Sequence, residues 1–399
     1  MKINKEIMIR RTYYMIVIII SILPTGYFLL LPVKLISLIL LVILLIYILI
    51  KYKAKINKSF ILFFISISIF LMIYTLYGVL SFGTISLIEF KLIFTTFLLV
   101  SIIYLFQSTL FKKIDLYNIY TLSIIFIFLF KVIAYIYGYI NFNTISGSEF
   151  YKSFFDLNII SLQLPFGIYR IYLLTDMICA FYPFVLALAI QDKLIKKTYL
   201  FNLIMYLSLF VVLTSFSRYL IFVFLIGIFF NSYIQQKVLK LIYIYLFIFS
   251  VISIFYYEQI YAFYELRFLS VNNQISDFIR VEQKDVLINL FLNKPYFGHG
   301  IGAYDIDLIR SISEPFSYEQ QILSLLPKFG IVGFSIFCAM FLYLLIISLI
   351  KKEILLISML ILFISASFFN PYLFSTNMVI IYSFILVILH DKEGKIINE

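Results

Sequence analysis

Three stretches of this 399-residue chain hold side chains whose type and spacing could do chemistry. The first is Thr214-Ser215-Phe216-Ser217-Arg218, a short polar turn that sets an arginine at the mouth of an apolar run. The second begins at Arg280, continues through an amphipathic pattern (Val281, Val286, Leu287, Leu290, Phe291) to Pro295, and ends in the alternating glycines Gly298, Gly300 and Gly302. The third is Tyr318-Glu319-Gln320-Gln321, which opens an apolar helix running to Lys328-Phe329-Gly330 and Gly333. Arginine offers a planar fork that grips phosphate or carboxylate through two bonds, which lysine cannot do. A carboxylate at a helix N-terminus, as predicted for Glu319, is stabilised by the helix dipole. Alternating glycines permit a tight turn rich in backbone groups. Each stretch also has a plainer reading: Arg218 as a snorkelling cation, the glycines as an ordinary loop, and Glu319 as a helix cap.

The elements that must position these residues are membrane spans. With 64% hydrophobic and 13% charged residues and a mean hydropathy of +1.08, the chain departs from soluble domains, which are about half apolar and about a quarter charged. A spanning helix needs about 20 mostly apolar residues. Cutting the chain at its polar interruptions predicts an all-α polytopic protein of about twelve spans. They are Thr12–Leu31, Val33–Ile50, Ser59–Gly78, Ile88–Gln107, Leu116–Tyr139, Ile171–Ile190, Thr198–Thr214, Arg218–Ile234, Leu239–Tyr257, Gln320–Ile350, Ile354–Phe369 and Leu373–Leu389. Residues 1–399 read as one transmembrane domain, with a large loop, 258–317, between the ninth and tenth spans. Its mixed charges cannot sit in hydrocarbon, where a bare charge or an unsatisfied backbone group costs several kcal/mol.

Orientation follows from the lysines, which cluster in every second gap: at 51–58, 112–113, 193–197, 237–240, 351–352 and 392–395. The positive-inside rule then puts both termini in the cytoplasm and the 258–317 loop outside, with a second outer loop at 140–170. The basic N-terminus runs into apolar sequence without a small-residue cleavage site, so it reads as a retained span. A net charge of +11 distributed in this way signals topology and not nucleic-acid binding. Beyond Arg10 and Arg11, all five arginines (Arg170, Arg218, Arg267, Arg280 and Arg310) fall on the predicted outer side. The topology rule does not account for them. They either pair with acids such as Asp156, Glu265, Asp277 and Asp305, or together receive an anionic substrate. Cys179 and Cys338 lie in apolar runs, and His299 and His390 lack zinc-ligand spacing, so no disulfide framework or metal site is expected. The cytoplasmic loops are too short for a nucleotide fold, which places any chemistry outside and without nucleotide hydrolysis.

The order of these features resembles the O-antigen ligase and O-antigen polymerase superfamily. Shared features are a Ser-Arg at a helix start, an arginine before P-x-F-G-x-G-x-G-x-Y, a polar residue at a helix start before G-x-x-G, and Asn370-Pro371 before the last span. The resemblance implies a membrane glycosyltransferase that polymerises oligosaccharide repeat units carried on undecaprenyl pyrophosphate, for lipopolysaccharide O-antigen or capsule. It would act at the outer face of the bacterial cytoplasmic (inner) membrane, without a cofactor. It implies Arg218 and Arg280 on the pyrophosphate, Glu319 as the base, and substrate contacts at Arg170, Arg267, His299 and Arg310. Expected partners are the lipid-linked oligosaccharide, the bilayer and a chain-length regulator. In ligases the position of Glu319 is typically His followed by Asn, so Glu319-Gln320 points towards a polymerase. The alternatives are the ligase that transfers glycan to lipid A-core and a lipid-linked oligosaccharide flippase. A flippase would need cations within the spans, where only Lys131, with Lys91 near a span end, is expected.

Overall fold

The computed structural model describes residues 2–52, 58–109, 112–159, 162–163, 167–194, 198–236, 261, 265, 271–309, 311–312 and 314–396. Among them the chain is all-helical, with thirteen α-helices and no strand. The helices are α1 (Lys2–Ile22), α2 (Val33–Tyr52), α3 (Lys58–Phe82), α4 (Thr84–Thr109), α5 (Lys113–Phe142), α6 (Ser148–Phe155) and α7 (Asp176–Gln191). There follow α8 (Thr198–Ser215), α9 (Arg218–Ile234), α10 (Val271–Asn293), α11 (Gln321–Ile350), α12 (Ile354–Ala366) and α13 (Val379–Ile396), the last preceded by a 3₁₀ turn, Thr376–Met378. By length and composition α2, α3, α4, α5 and α11 are able to cross a membrane, and the chain is a polytopic membrane protein. Every predicted span except the ninth overlaps a helix; the ninth, Leu239–Tyr257, lies outside the described residues. The first helix spans Lys2–Ile22 and not Thr12–Leu31, because Pro24 and Gly26 turn the chain before Pro32. The last begins at Val379, after Ser375 receives the Asn377 N–H and opens the 3₁₀ turn.

The chain forms two compact units: residues 1–41 with 112–274, and residues 42–111 with 275–399. In the first, α7 is the central element. Met177 to Ala189 are buried on every side, as expected of a helix apolar all round. Close packing depends on Gly227 of α9, where a Cβ would fall 2.8 Å from the Phe184 ring of α7. One charge pair is sealed in this unit. Lys131 of α5 donates to Asp176 Oδ2 (2.9 Å) and to the carbonyls of Ile171 (2.9 Å) and Val211 (3.0 Å), and both side chains are fully buried.

In the second unit α4 packs between α3 and α13, and α11 lies against α12. Rings join its elements: Phe70 and Tyr74 of α3 pack on Phe329 and Phe337 of α11 with centroids 5.0 to 5.9 Å apart. These aromatic pairs contribute about 0.5–1.5 kcal/mol each beyond their buried area.

Candidate functional site

The sequence reads α11 as a continuous apolar run, but the helix is broken in its third turn. Pro327 has no N–H to give, and Gly330 stands at φ 60°, ψ −175°, outside helical space. The freed groups are taken up by the glycine strap of residues 295–302. Ile331 and Val332 donate to the carbonyls of Pro295 (2.8 Å) and Tyr296 (3.1 Å). The carbonyls of Pro327 and Lys328 accept from His299 (2.7 Å) and Gly300 (2.9 Å). The Phe329 carbonyl accepts the Tyr74 hydroxyl at 3.0 Å. The strap thus replaces the missing turn of helical hydrogen bonds, which satisfies the rule that buried backbone groups must be paired.

This exchange explains the glycine spacing. Gly298, Gly300 and Gly302 stand at φ 70°, 92° and 90°, a region side chains disfavour. A Cβ on Gly298 would fall 2.6 Å from Gly330 N and from the Lys328 carbonyl, and one on Gly300 would fall 2.3 Å from Gly78 N. The Gly302 N–H closes the strap onto Glu89 Oε2 of α4 at 2.6 Å.

Glu89 is also the partner of Lys328, Nζ to Oε1 at 2.5 Å, and Lys328 donates further to the Phe316 carbonyl at 3.1 Å. Both side chains are buried. One ion pair therefore ties α4, the strap, the broken turn of α11 and the segment leading to Glu319. Glu314, in the same loop, has its carboxyl pushed up first by burial and then by the nearby Glu89 charge.

Glu319 lies two residues before α11 and meets one turn of α10. Arg280 Nε donates to Glu319 Oε2 at 2.8 Å. The Glu319 N–H donates to Gln283 Oε1 at 3.2 Å, and Gln320 Nε2 donates to the Arg280 carbonyl at 3.0 Å. Arg280 and Gln283, three residues apart on a helix, face the same way. The ion pair reaches solvent, with Arg280 26% and Glu319 22% exposed. The Glu319 carboxylate is thus drawn to α10 and its guanidinium, where the plainer sequence reading has it capping its own helix. The α10 helix itself starts at Val271, ahead of Arg280, and ends at Asn293, as Pro295 requires.

His299 contributes its backbone to the strap, and its ring Nε2 hydrogen-bonds the Leu290 carbonyl at 2.9 Å. Burial lowers its pKa, opposed by that carbonyl and reinforced by Lys294. The balance favours the neutral ring.

In the first unit two of the predicted arginines gather on one turn. Arg170 Nε donates to the Ser215 carbonyl at 2.8 Å and its guanidinium lies 5.1 Å from the Tyr172 ring centroid. The Ile171 N–H donates to the Thr214 carbonyl at 3.2 Å. Phe216 makes the turn at φ 51° with its ring buried, and Arg218 follows as the exposed first residue of α9. Lys131 supports the turn from below through Val211. Arg267 and Arg310 lie outside the described residues.

The structure corrects the census of cations within spans. Lys131 is consumed by Asp176, and Lys328, which the span reading passed over, is consumed by Glu89. A lysine inside an apolar run was the available signal, since such a charge requires a partner. The partners themselves, 45 and 239 residues away in sequence, left no local trace. Among the described residues no group of three or more His, Cys, Asp or Glu side chains could hold a metal ion.

The arginine turn, the strap and Glu319 follow one another within a single segment, and that segment has a known counterpart. Residues 203–338 match the O-antigen ligase family model. The match runs from α8 through the Arg218 turn, α10, the strap and Glu319 to the broken helix α11. It supports the superfamily resemblance read from the residues, and it indicates activity of the O-antigen ligase/polymerase type in a membrane protein. No curated protein matches the chain.

Proposed function

We propose that this O-antigen ligase-like protein is the polymerase form of the activity. It would join oligosaccharide repeat units carried on undecaprenyl pyrophosphate at the outer face of the cytoplasmic membrane. The observation that supports this reading is the pairing of Glu319 with Arg280 within the matched segment, because a carboxylate beside a guanidinium suits a base next to a group able to grip phosphate.

In the proposed reaction a hydroxyl of one lipid-linked unit attacks the anomeric carbon of another. The new glycosidic C–O bond forms as the bond to pyrophosphate breaks, and the hydroxyl proton passes to the Glu319 carboxylate. The pyrophosphate departs carrying both electrons of its bond, and cations stabilise it. Arg280 links the two events. A pyrophosphate arriving at its guanidinium competes with Glu319 for the fork and releases the carboxylate to act as base. Arg218 and Arg170, on their common turn in the first unit, form a cationic group suited to phosphate in its own right, and the strap residue His299 contacts sugar. In this reading the lysine pattern sets both termini inside.

The buried pairing of Lys131 and of Lys328 supports fixed structural roles for both, so the flippase reading gains nothing from them. Deletion of the gene distinguishes the three activities. Loss of the polymerase leaves single repeat units exported and attached to their acceptor, loss of a ligase leaves long polymer on the carrier, and loss of a flippase strands units inside. Long polymer on the carrier would transfer the assignment to the ligase.

A further inference from the structure

The second unit contains an apolar cleft of about 800 Å³ between α3, α4, α11, α12 and α13 that the reaction does not use. We infer that it binds one acyl chain of an anionic glycerophospholipid, whose headgroup rests on Lys58 and Lys352.

The lining supports a hydrocarbon occupant. Aromatic and branched side chains predominate, among them Phe63, Phe97, Phe337 and Leu344. The hydroxyls of Thr96 and Tyr382 face it but are committed to the carbonyls of Phe374 (2.8 Å) and Leu373 (3.1 Å). Water would find few partners there, and a dry cavity of this size forfeits the contacts its walls could make.

Length identifies the occupant as a single chain confined to one leaflet. The lining runs from Ser59 to Leu71 on α3 and from Ile336 to Ile347 on α11, which at about 1.5 Å per residue is about 17 Å. Half of a bilayer's hydrocarbon core is about 15 Å. A long polyprenyl chain would overfill a cleft of that depth.

Charge identifies the headgroup. Ring pairs fix the helices as antiparallel: Phe60 with Tyr104, Phe64 with Phe97, Tyr74 with Phe329 and Phe70 with Phe337. Following that register, Lys58 at the start of α3 comes level with the last turn of α11, which Lys351 and Lys352 follow. Lys351 Nζ donates to the carbonyl of Leu389, itself a lining residue. Lys58 and Lys352 are both exposed at that end. Cations at the interfacial mouth of a cleft between helices suit an anionic headgroup, and Lys–lipid attraction of this kind is screened by salt.

The test is native mass spectrometry of the full chain in neutral detergent, with phosphatidylglycerol, phosphatidylcholine and polyprenyl phosphate added at equal concentration. Phosphatidylglycerol should be retained at least about tenfold over phosphatidylcholine. Lys58→Gln with Lys352→Gln should abolish that preference while leaving the melting temperature unchanged. Ala339→Phe, which fills the cleft from a lining position, should remove retention of both phospholipids. Equal retention of the two phospholipids by the wild type, or unchanged retention in Ala339→Phe, would overturn the inference. So would displacement of phosphatidylglycerol by polyprenyl phosphate, which would make the cleft part of the substrate path. Since the readout is lipid retention, it stands apart from the polymerase assignment.

Discussion

Replacing Gly300 with alanine tests the strap directly. At φ 92° an L side chain is strained, a cost of about 1–2 kcal/mol by analogy with left-handed helical residues. The added Cβ would meet Gly78 N at 2.3 Å, Gly78 Cα at 2.5 Å and the Tyr74 carbonyl at 2.8 Å. These are backbone atoms of a packed helix, so the strap must move instead. Movement breaks the bonds from Gly300 N to the Lys328 carbonyl and from Ile301 N to the Tyr74 carbonyl. Each broken bond costs about 1–3 kcal/mol. With the strain the sum is about 3–8 kcal/mol, which reaches the range of severe lesions. Gly83 supplies the control, because it has φ 59° with nothing within 4 Å of an added methyl, so Gly83→Ala incurs only the conformational cost of about 1–2 kcal/mol. Thermal unfolding of both purified variants, followed by tyrosine fluorescence, should place Gly300→Ala well below Gly83→Ala, with a lowering of about 6–30 °C at about 2–4 °C per kcal/mol. Equal melting temperatures would show that the strap does not carry the broken helix.

Arg280→Lys should reduce polymer formation at least about tenfold although charge is kept, because an ammonium does not reproduce the two-bond grip; gel analysis of glycan chain length reads the loss. In the first unit, Lys131→Met should destabilise by about 3–5 kcal/mol by stranding Asp176, while Lys131→Met with Asp176→Leu should recover most of it. A double-mutant cycle of melting temperatures measures both, and no recovery would contradict a purely structural pair. The pH dependence of stability should contain an acid-sensitive part due to His299. Its folded pKa is depressed below the ordinary 6.5, so its contribution is complete above that value and is lost as pH falls through the folded pKa. His299→Gln should flatten the melting-temperature profile on the acid side of about pH 6.5.

Much of this fold is written locally. Apolar runs of spanning length, the amphipathic stretch from Val281 to Phe291 and the stop at Pro295 all appear as helices or helix ends, because each depends on residues within a turn or two. The glycine run was legible as tight backbone, but not its purpose. That purpose depends on Pro327 and Gly330, some thirty residues on, in a run that reads from the sequence as one continuous apolar helix. The pairing of Arg280 with Glu319 spans 39 residues, and no periodicity relates them; residue type and place bring each to notice separately, but not as partners. Glu89 and Lys328 were the least legible, since each reads as a stray charge until the other is placed beside it. The Arg218 turn shows the reverse case: its Ser-Arg pattern was conspicuous, but its support from Arg170 and Lys131 comes from other parts of the chain.

Purified protein given a defined polyprenyl-pyrophosphate-linked repeat unit tests most directly whether Glu319 and Arg280 carry out repeat-unit polymerisation. Wild type should convert single units into a ladder of longer chains with release of polyprenyl pyrophosphate. Glu319→Gln, which keeps the shape but cannot take a proton, should leave single units at a fold and melting temperature close to wild type. A full ladder from Glu319→Gln would remove the base from the mechanism, and no ladder from the wild type would contradict the polymerase assignment itself.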